Sequence, residues 1–225
     1  MDGLTALGIV VFNILFGLIS IVNGKKKKAD LLIVVGYVSI FVGCFWLGPV
    51  VDFFLVLLAQ TNIHPIYLYS IISYMWMAPA AVSSMYLGAQ LLAPKKKRII
   101  TVIYLVVGLV FELLLWFDYQ NTFSYSLGTP GEDLIDASFN QLHPAFFIVV
   151  GLLVSLAIFL VIGSLIKAKQ TTGDIRKKFI YITIGFTIFL IVGIADSLFP
   201  IGPLIGIFRI IMMTFSLWLY LGLRP

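Results

Sequence analysis

Four ionisable residues interrupt stretches of this chain that are otherwise apolar: Asp52, Glu112, Asp196 and Arg209. Charged side chains in hydrocarbon are costly, so each is a functional hypothesis by default. An arginine keeps its proton and needs a carboxylate or water, and three carboxylates lie in comparable positions. Two chemistries fit. In one, Arg209 pairs with a carboxylate and the remaining acids reach water from shallow positions. In the other, Arg209 and Glu112 form the floor of a polar cavity that receives a small ligand or an ion. Two histidines, in His64-Pro65 and His143-Pro144, stand at expected helix starts, where proline is comfortable in the first turn. Their spacing is not that of a zinc site, in which two His fall one turn apart, so no metal is expected.

The elements that must carry these residues are membrane helices. Hydrophobic residues make up 61% of the 225-residue chain and charged residues 11%, against roughly 45–50% and about 25% in soluble domains. A compact core cannot hide that much apolar surface, so lipid is its solvent. Seven segments have the ~20 mostly apolar residues that a crossing requires. They cover residues 4–22, 31–59, 65–93, 99–117, 144–166, 179–199 and 201–221. The second and third are longer than needed and contain Gly48-Pro49 and Pro79, which predicts tilt, a kink or a projecting end. Pro200, Gly202 and Pro203 predict a tight turn between the last two. The reading is an all-α, seven-helix bundle forming one domain, with residues 118–143 as its only long loop. That loop mixes Glu132, Asp133 and Asp136 with Gly128, Pro130 and Gly131, and fits a lid or a surface loop equally.

Orientation follows from the cations. Lys25, Lys26, Lys27 and Lys28 follow the first span; Lys95, Lys96, Lys97 and Arg98 follow the third. Lys167, Lys169, Arg176, Lys177 and Lys178 follow the fifth, and Arg224 is near the chain's end. These groups hold 14 of the 15 Lys and Arg residues, and cytoplasmic loops carry the excess of such residues. The N-terminus is therefore expected outside and the C-terminus in the cytoplasm of a cell membrane. The first helix is expected to be retained, because its cations follow the apolar run instead of preceding it. On this placement the four intramembrane charges lie within roughly 5–12 Å of the outer boundary. Tyr67, Tyr69, Trp116, Tyr119 and Tyr125 fall near the outer headgroups. The basic loops suit anionic lipid headgroups or a cytoplasmic partner, and cations confined to short loops argue against nucleic acid. Cys44 lies in an apolar run as a packing residue and has no partner for an internal disulfide.

Several functions lack their residues. Every lysine lies in a loop, which excludes covalently bound retinal, and no other cofactor is expected. A nucleophile–base arrangement, a His-Glu-x-x-His pair and a glycine-rich phosphate loop are missing, so nothing favours an enzyme.

The C-terminal third carries a pattern. Asp174-Ile175-Arg176-Lys177-Lys178 leads into a helix with Ile184-Gly185. The stretch Asp196-Ser197-Leu198-Phe199-Pro200-Ile201-Gly202-Pro203 then turns the chain into a last helix ending Leu219-Tyr220-Leu221-Gly222-Leu223-Arg224-Pro225. This resembles the end of the seven-transmembrane sensor region at the N-terminus of many prokaryotic histidine kinases. In those kinases the last helix feeds a cytoplasmic signalling module, whereas this sequence stops at Pro225. The resemblance implies a freestanding sensor that signals to a separate protein. The competing expectations are a small-solute or ion transporter or channel, and an accessory subunit of a membrane complex.

Overall fold

Two prolines divide helices that hydropathy alone would run straight through. The computed structural model describes residues 2–198 and 203–224. After α1 (Asp2–Lys27), the second apolar segment is α2 (Asp30–Gly43), a 3₁₀ turn at Cys44–Trp46, and α3 (Leu47–Ala59). The third is α4 (Tyr67–Tyr74) and α5 (Met77–Leu92), separated at Met75 and Trp76. Pro49 and Pro79 each lack an N–H, and each ring clashes with the carbonyl four residues earlier. Those carbonyls belong to Phe45 and Met75, and both irregularities fall there. The kink expected at Gly48-Pro49 therefore lies one turn earlier.

The chain continues through α6 (Lys97–Phe117), a single turn α7 (Tyr119–Thr122), strands β1 (Phe123–Ser126) and β2 (Asp136–Phe139), and α8 (Pro144–Leu156). A π-helical stretch at Ala157–Ile162, which no proline explains, joins α8 to α9 (Gly163–Gln170). Then come α10 (Gly173–Leu198), α11 (Pro203–Met213) and α12 (Phe215–Leu223). Among the described residues six helical stretches are long and apolar enough to cross a membrane, which makes this a multi-pass membrane protein. The 65–93 segment is not one of them, because it is two shorter helices. The turn expected from Pro200, Gly202 and Pro203 lies outside the described residues except for Pro203, which opens α11.

The long loop departs from the all-α expectation. Strands β1 and β2 pair antiparallel, with Phe123 opposite Phe139 and Ser126 opposite Asp136. One face of this hairpin rests on α4. The Tyr74 ring lies 5.2 Å from Phe123 and 4.8 Å from Phe139, and Tyr67 lies 4.3 Å from Tyr119 between ring centroids. Such aromatic pairs add about 0.5–1.5 kcal/mol each beyond their burial. Tyr69, expected among headgroups, is 8% exposed and packs with Ile63 and Ile135.

The bundle core runs through α1, α2, α5, α10 and α12, with Ile9, Val35, Met85, Phe186, Phe215 and Leu219 fully or almost fully buried. Helices α1 and α2 approach most closely at Gly17 and Gly36: a Cβ on Gly17 would meet the Gly36 carbonyl oxygen at 2.8 Å, and one on Gly36 the Gly17 oxygen at 2.6 Å. Small residues permit this contact where lipid gives helices no hydrophobic reason to associate. By contrast α6 presents Val102, Ile103, Val106, Leu109, Val110 and Leu113 outward, each 45–58% exposed.

Candidate functional site

The two ends of the bundle carry opposite charge. Leu92 packs against Gly163, Asn23 donates a hydrogen bond to the Tyr220 hydroxyl, and Gly222 approaches Lys178, so the cation groups share one end. There Lys25, Lys26, Lys27, Lys28, Lys95, Lys96, Arg98, Arg176 and Lys177 are exposed, and Lys97 and Lys178 partly so. At the other end, Gly3 meets Phe53, Asp2 meets Arg209, and the hairpin meets the loop after α3. Eight of the ten acidic residues belong to that end or to the helix halves leading to it; Asp30 and Asp174 are the exceptions.

The four charges singled out in the sequence separate into three sites. Arg209 on α11 donates from Nε to Asp196 Oδ1 on α10 at 3.0 Å, and from Nη1 to the Asp2 backbone oxygen at 3.1 Å. The Arg209 side chain is 7% exposed and that of Asp196 24%. This corrects the floor expected from Arg209 and Glu112. Helix α6 packs mainly on α5, whereas α11 packs on α1 and α10, so depth alone was a poor guide to partners. Glu112 instead accepts from Trp116 Nε1 at 3.2 Å, one turn along α6. Its carboxylate also faces the Ala78 amide, in the first turn of α5, while Oε1 itself is buried without a hydrogen-bond partner.

Asp52 is the most completely engaged of the four. It is 0% exposed on α3. Its Oδ1 accepts from the Ile63 amide at 2.9 Å and its Oδ2 from the Ile135 amide at 2.9 Å. Asn62 Nδ2 lies 3.2 Å from both oxygens. The same Nδ2 donates to the Asp133 backbone oxygen at 2.9 Å, and Asn62 Oδ1 accepts from the Gly131 amide at 2.7 Å. One carboxylate thus ties the helix to the loop after it and to the hairpin connection. Charge-assisted bonds of this kind are shorter and about twice as strong as neutral ones. The chain is shaped for them: Gln60 ends α3 in the left-handed conformation at φ 50°. Gly131 has φ +79°, and a Cβ there would strike the Gln60 oxygen at 2.2 Å.

Asn62 was not legible as a functional residue, because its role depends on residues about seventy positions away. The nearest signal is the turn pair Pro130-Gly131. His143 is likewise structural. As N-cap of α8 its Nδ1 accepts from the Ala145 amide at 3.2 Å, which leaves Nε2–H to donate to Asp118 at 3.0 Å. Hydrogen bonds from His143 and Asn121 hold the Asp118 carboxyl below the usual carboxylate range. Thr122 lies 3.4 Å from His143 Nδ1, but its fully buried hydroxyl is committed to the Asp118 carbonyl, so the trio is no nucleophile relay. Burial, then the nearby Asp196 charge, pushes the Asp136 carboxyl up, against the pull of Arg209. His64, the other histidine considered for a metal, is exposed. No group of three or more His, Cys, Asp or Glu able to hold a metal ion occurs among the described residues.

No protein-family model matches this chain, and no curated protein or solved structure does.

Proposed function

We propose that this chain is a seven-crossing sensor module of a prokaryotic cell membrane, without catalytic activity or cofactor. Its N-terminus is outside and its C-terminus in the cytoplasm. It receives a signal at the acidic, hairpin-capped end and passes it to a separate cytoplasmic protein at the basic end. The observation that carries this reading is the Asp52 clamp, through which a change in the hairpin reaches a membrane helix directly. At the same end Arg209–Asp196 ties α10 to α11, and Arg209 also holds the start of α1.

Seven crossings are supported by the path of α4 and α5. Tyr67 meets the hairpin end, Leu92 meets Gly163 at the basic end, and the interval is roughly 39 Å of helix. The orientation is supported by the cations sharing one end. In a Cys44→Ser background, cysteine at Gln141 should label in intact cells with an impermeant thiol reagent, and cysteine at Thr171 only after lysis. The reverse pattern inverts the topology. The sensing role is tested by co-purification of the native protein: a kinase or receiver partner is expected, and a stable multisubunit assembly would make it an accessory subunit instead.

A specific observation favours a second reading, as a transporter or channel. The irregularities at Cys44–Trp46, Met75–Trp76 and Ala157–Ile162 border one apolar cavity of about 40 Å³, lined by Phe45, Met77 and Leu156 among others. Broken helices around a common cavity are a feature of transporter binding sites. Solute flux in liposomes decides for this reading.

A further inference from the structure

A cleft of about 340 Å³ lies between the loop that follows α3 and the connection of the hairpin. Its volume is in the range of small-molecule sites, which hold about 300–1,000 Å³. One wall is Gln60, Thr61, Asn62, Ile63, His64 and Ile66; the other is Leu127, Pro130, Gly131 and Ile135. We propose that this cleft is the binding site for a small organic cation with an apolar body, such as a primary amine. The proposal rests on the sensor reading only for the consequence of binding, not for binding itself.

Three observations carry it. First, the cleft is preorganised: both walls hang on Asp52, through the Ile63 and Ile135 amides, and Asn62 crosses from one wall to the other at Gly131 and Asp133. A site held by its own hydrogen bonds spends less of its binding energy on ordering. Second, its chemistry is mixed. Ile63, Ile66, Leu127 and Ile135 offer an apolar surface, while Gln60, Thr61 and His64 offer polar groups at the rim. Third, its field is negative. Asp52 lies directly behind both walls, and its partners are two backbone amides and a side-chain amide, with no cation among the described residues. Glu132 and Asp133, both exposed, directly follow Gly131 of the lining in the chain, and the lining contains no Lys or Arg. A cleft of one sign with low-dielectric walls concentrates the opposite ion. This also changes the role of Asp52: it supplies charge and shape from behind the site instead of touching the ligand.

The test uses the full chain in nanodiscs, in a Cys44→Ser background, with one cysteine at Thr61 in the cleft or at Gln141, which is exposed at the same end. Each variant is treated with a trimethylammonium-ethyl and a sulfonato-ethyl methanethiosulfonate of similar size. The cationic-to-anionic rate ratio is expected to be about tenfold higher at position 61 than at 141, within the 10–10³ range of electrostatic focusing. Glu132→Gln should leave most of that difference in place, which separates the cleft's field from the exposed charge next to Gly131 in the chain. Benzylammonium should protect position 61 from a neutral thiol reagent, and benzoate and benzyl alcohol should not. Equal ratios at the two positions, or equal protection by all three compounds, overturns the proposal. Both readings are of the isolated protein, so failure here leaves the partner test of sensing untouched.

Discussion

The two ends of this bundle use charge in opposite ways. At the acidic end four carboxylates are each held by a specific partner: Asp52 by two backbone amides, Asp133 by the Thr129 amide at 2.8 Å, Asp118 by His143, and Asp196 by Arg209. At the basic end the cations stand largely free. The ion pair there, Lys177–Asp174 at 3.3 Å, joins side chains that are 67% and 88% exposed, and such pairs contribute little. Charge at one end is therefore partly architecture, and at the other it is largely exposed surface.

The sharpest way to break this contrast is at Arg209. Removing one member of a buried pair costs about 3–5 kcal/mol, because the other is left uncompensated. Arg209→Ala should fall near the lower figure, since Asp196 keeps some access to solvent. Arg209→Met combined with Asp196→Asn should recover most of the loss, whereas Arg209→Ala and Glu112→Gln should add independently. Thermal unfolding in detergent of the single and double variants gives both coupling energies. Coupling to Glu112 instead of Asp196 would restore the pairing that depth alone suggests.

The next effect is at Asp52. Asp52→Asn turns one acceptor into a donor that faces the Ile63 or the Ile135 amide, and a buried donor left unpaired costs about 1–3 kcal/mol. Hydrogen exchange should speed up at the amides of Ile63, Ile135 and Gly131 while α10 and α12 stay protected. Uniform loss of protection would mean that the hairpin is part of one cooperative unit with the helices and not a cap clamped to them.

What the sequence made legible follows the same division. Spans and the sharing of one end by the cations depend on local hydropathy and on unpartnered charge, both of which are properties of neighbouring residues. Pro49 and Pro79 even carried the positions of the breaks, one turn upstream. The hairpin was hidden because β1 and β2 are four residues each in a polar loop, and their register comes from aromatic contacts with α4. The charge cluster was misassembled for a related reason. Helix depth gives one coordinate, and the choice between Glu112 and Asp196 for Arg209 depends on which helices are neighbours around the bundle.

A smaller effect is pH-dependent. Asp118 is a depressed carboxylate, so its contribution is present above the usual carboxylate value and is lost as pH falls through its lower folded value. Protonation removes the acceptor for His143 and loosens the start of α8. The protection of the Ala145 and Phe146 amides, measured against the intrinsic exchange rate at each pH, should fall as pH drops through the acidic range. Asp118→Asn should be loosened already at neutral pH and show little further change. A wild-type response that persists unchanged in Asp118→Asn would assign the titration elsewhere.

The smallest expected effect tests whether the basic end is as free as it looks. Lys97 differs from its neighbours. Its Nζ donates to Gln90 Oε1 at 2.9 Å and lies 5.3 Å from the Tyr86 ring centroid, while Lys95, Lys96 and Arg98 are exposed. A cation over an aromatic face at a partly exposed site is worth about 0.5–1 kcal/mol. Lys97→Gln should therefore lower stability by about that much, and Lys95→Gln, Lys96→Gln and Arg98→Gln should leave it unchanged. Affinity for vesicles containing acidic lipid should show the other ordering, with each exposed cation contributing about 1 kcal/mol at low salt and Lys97 contributing less. The contrast between the ends then reduces to a measurable rule: a cation here acts on the fold or on the membrane surface according to whether a side chain already holds it. If all four replacements change stability equally, the run is structural throughout, and the basic end is built like the acidic one.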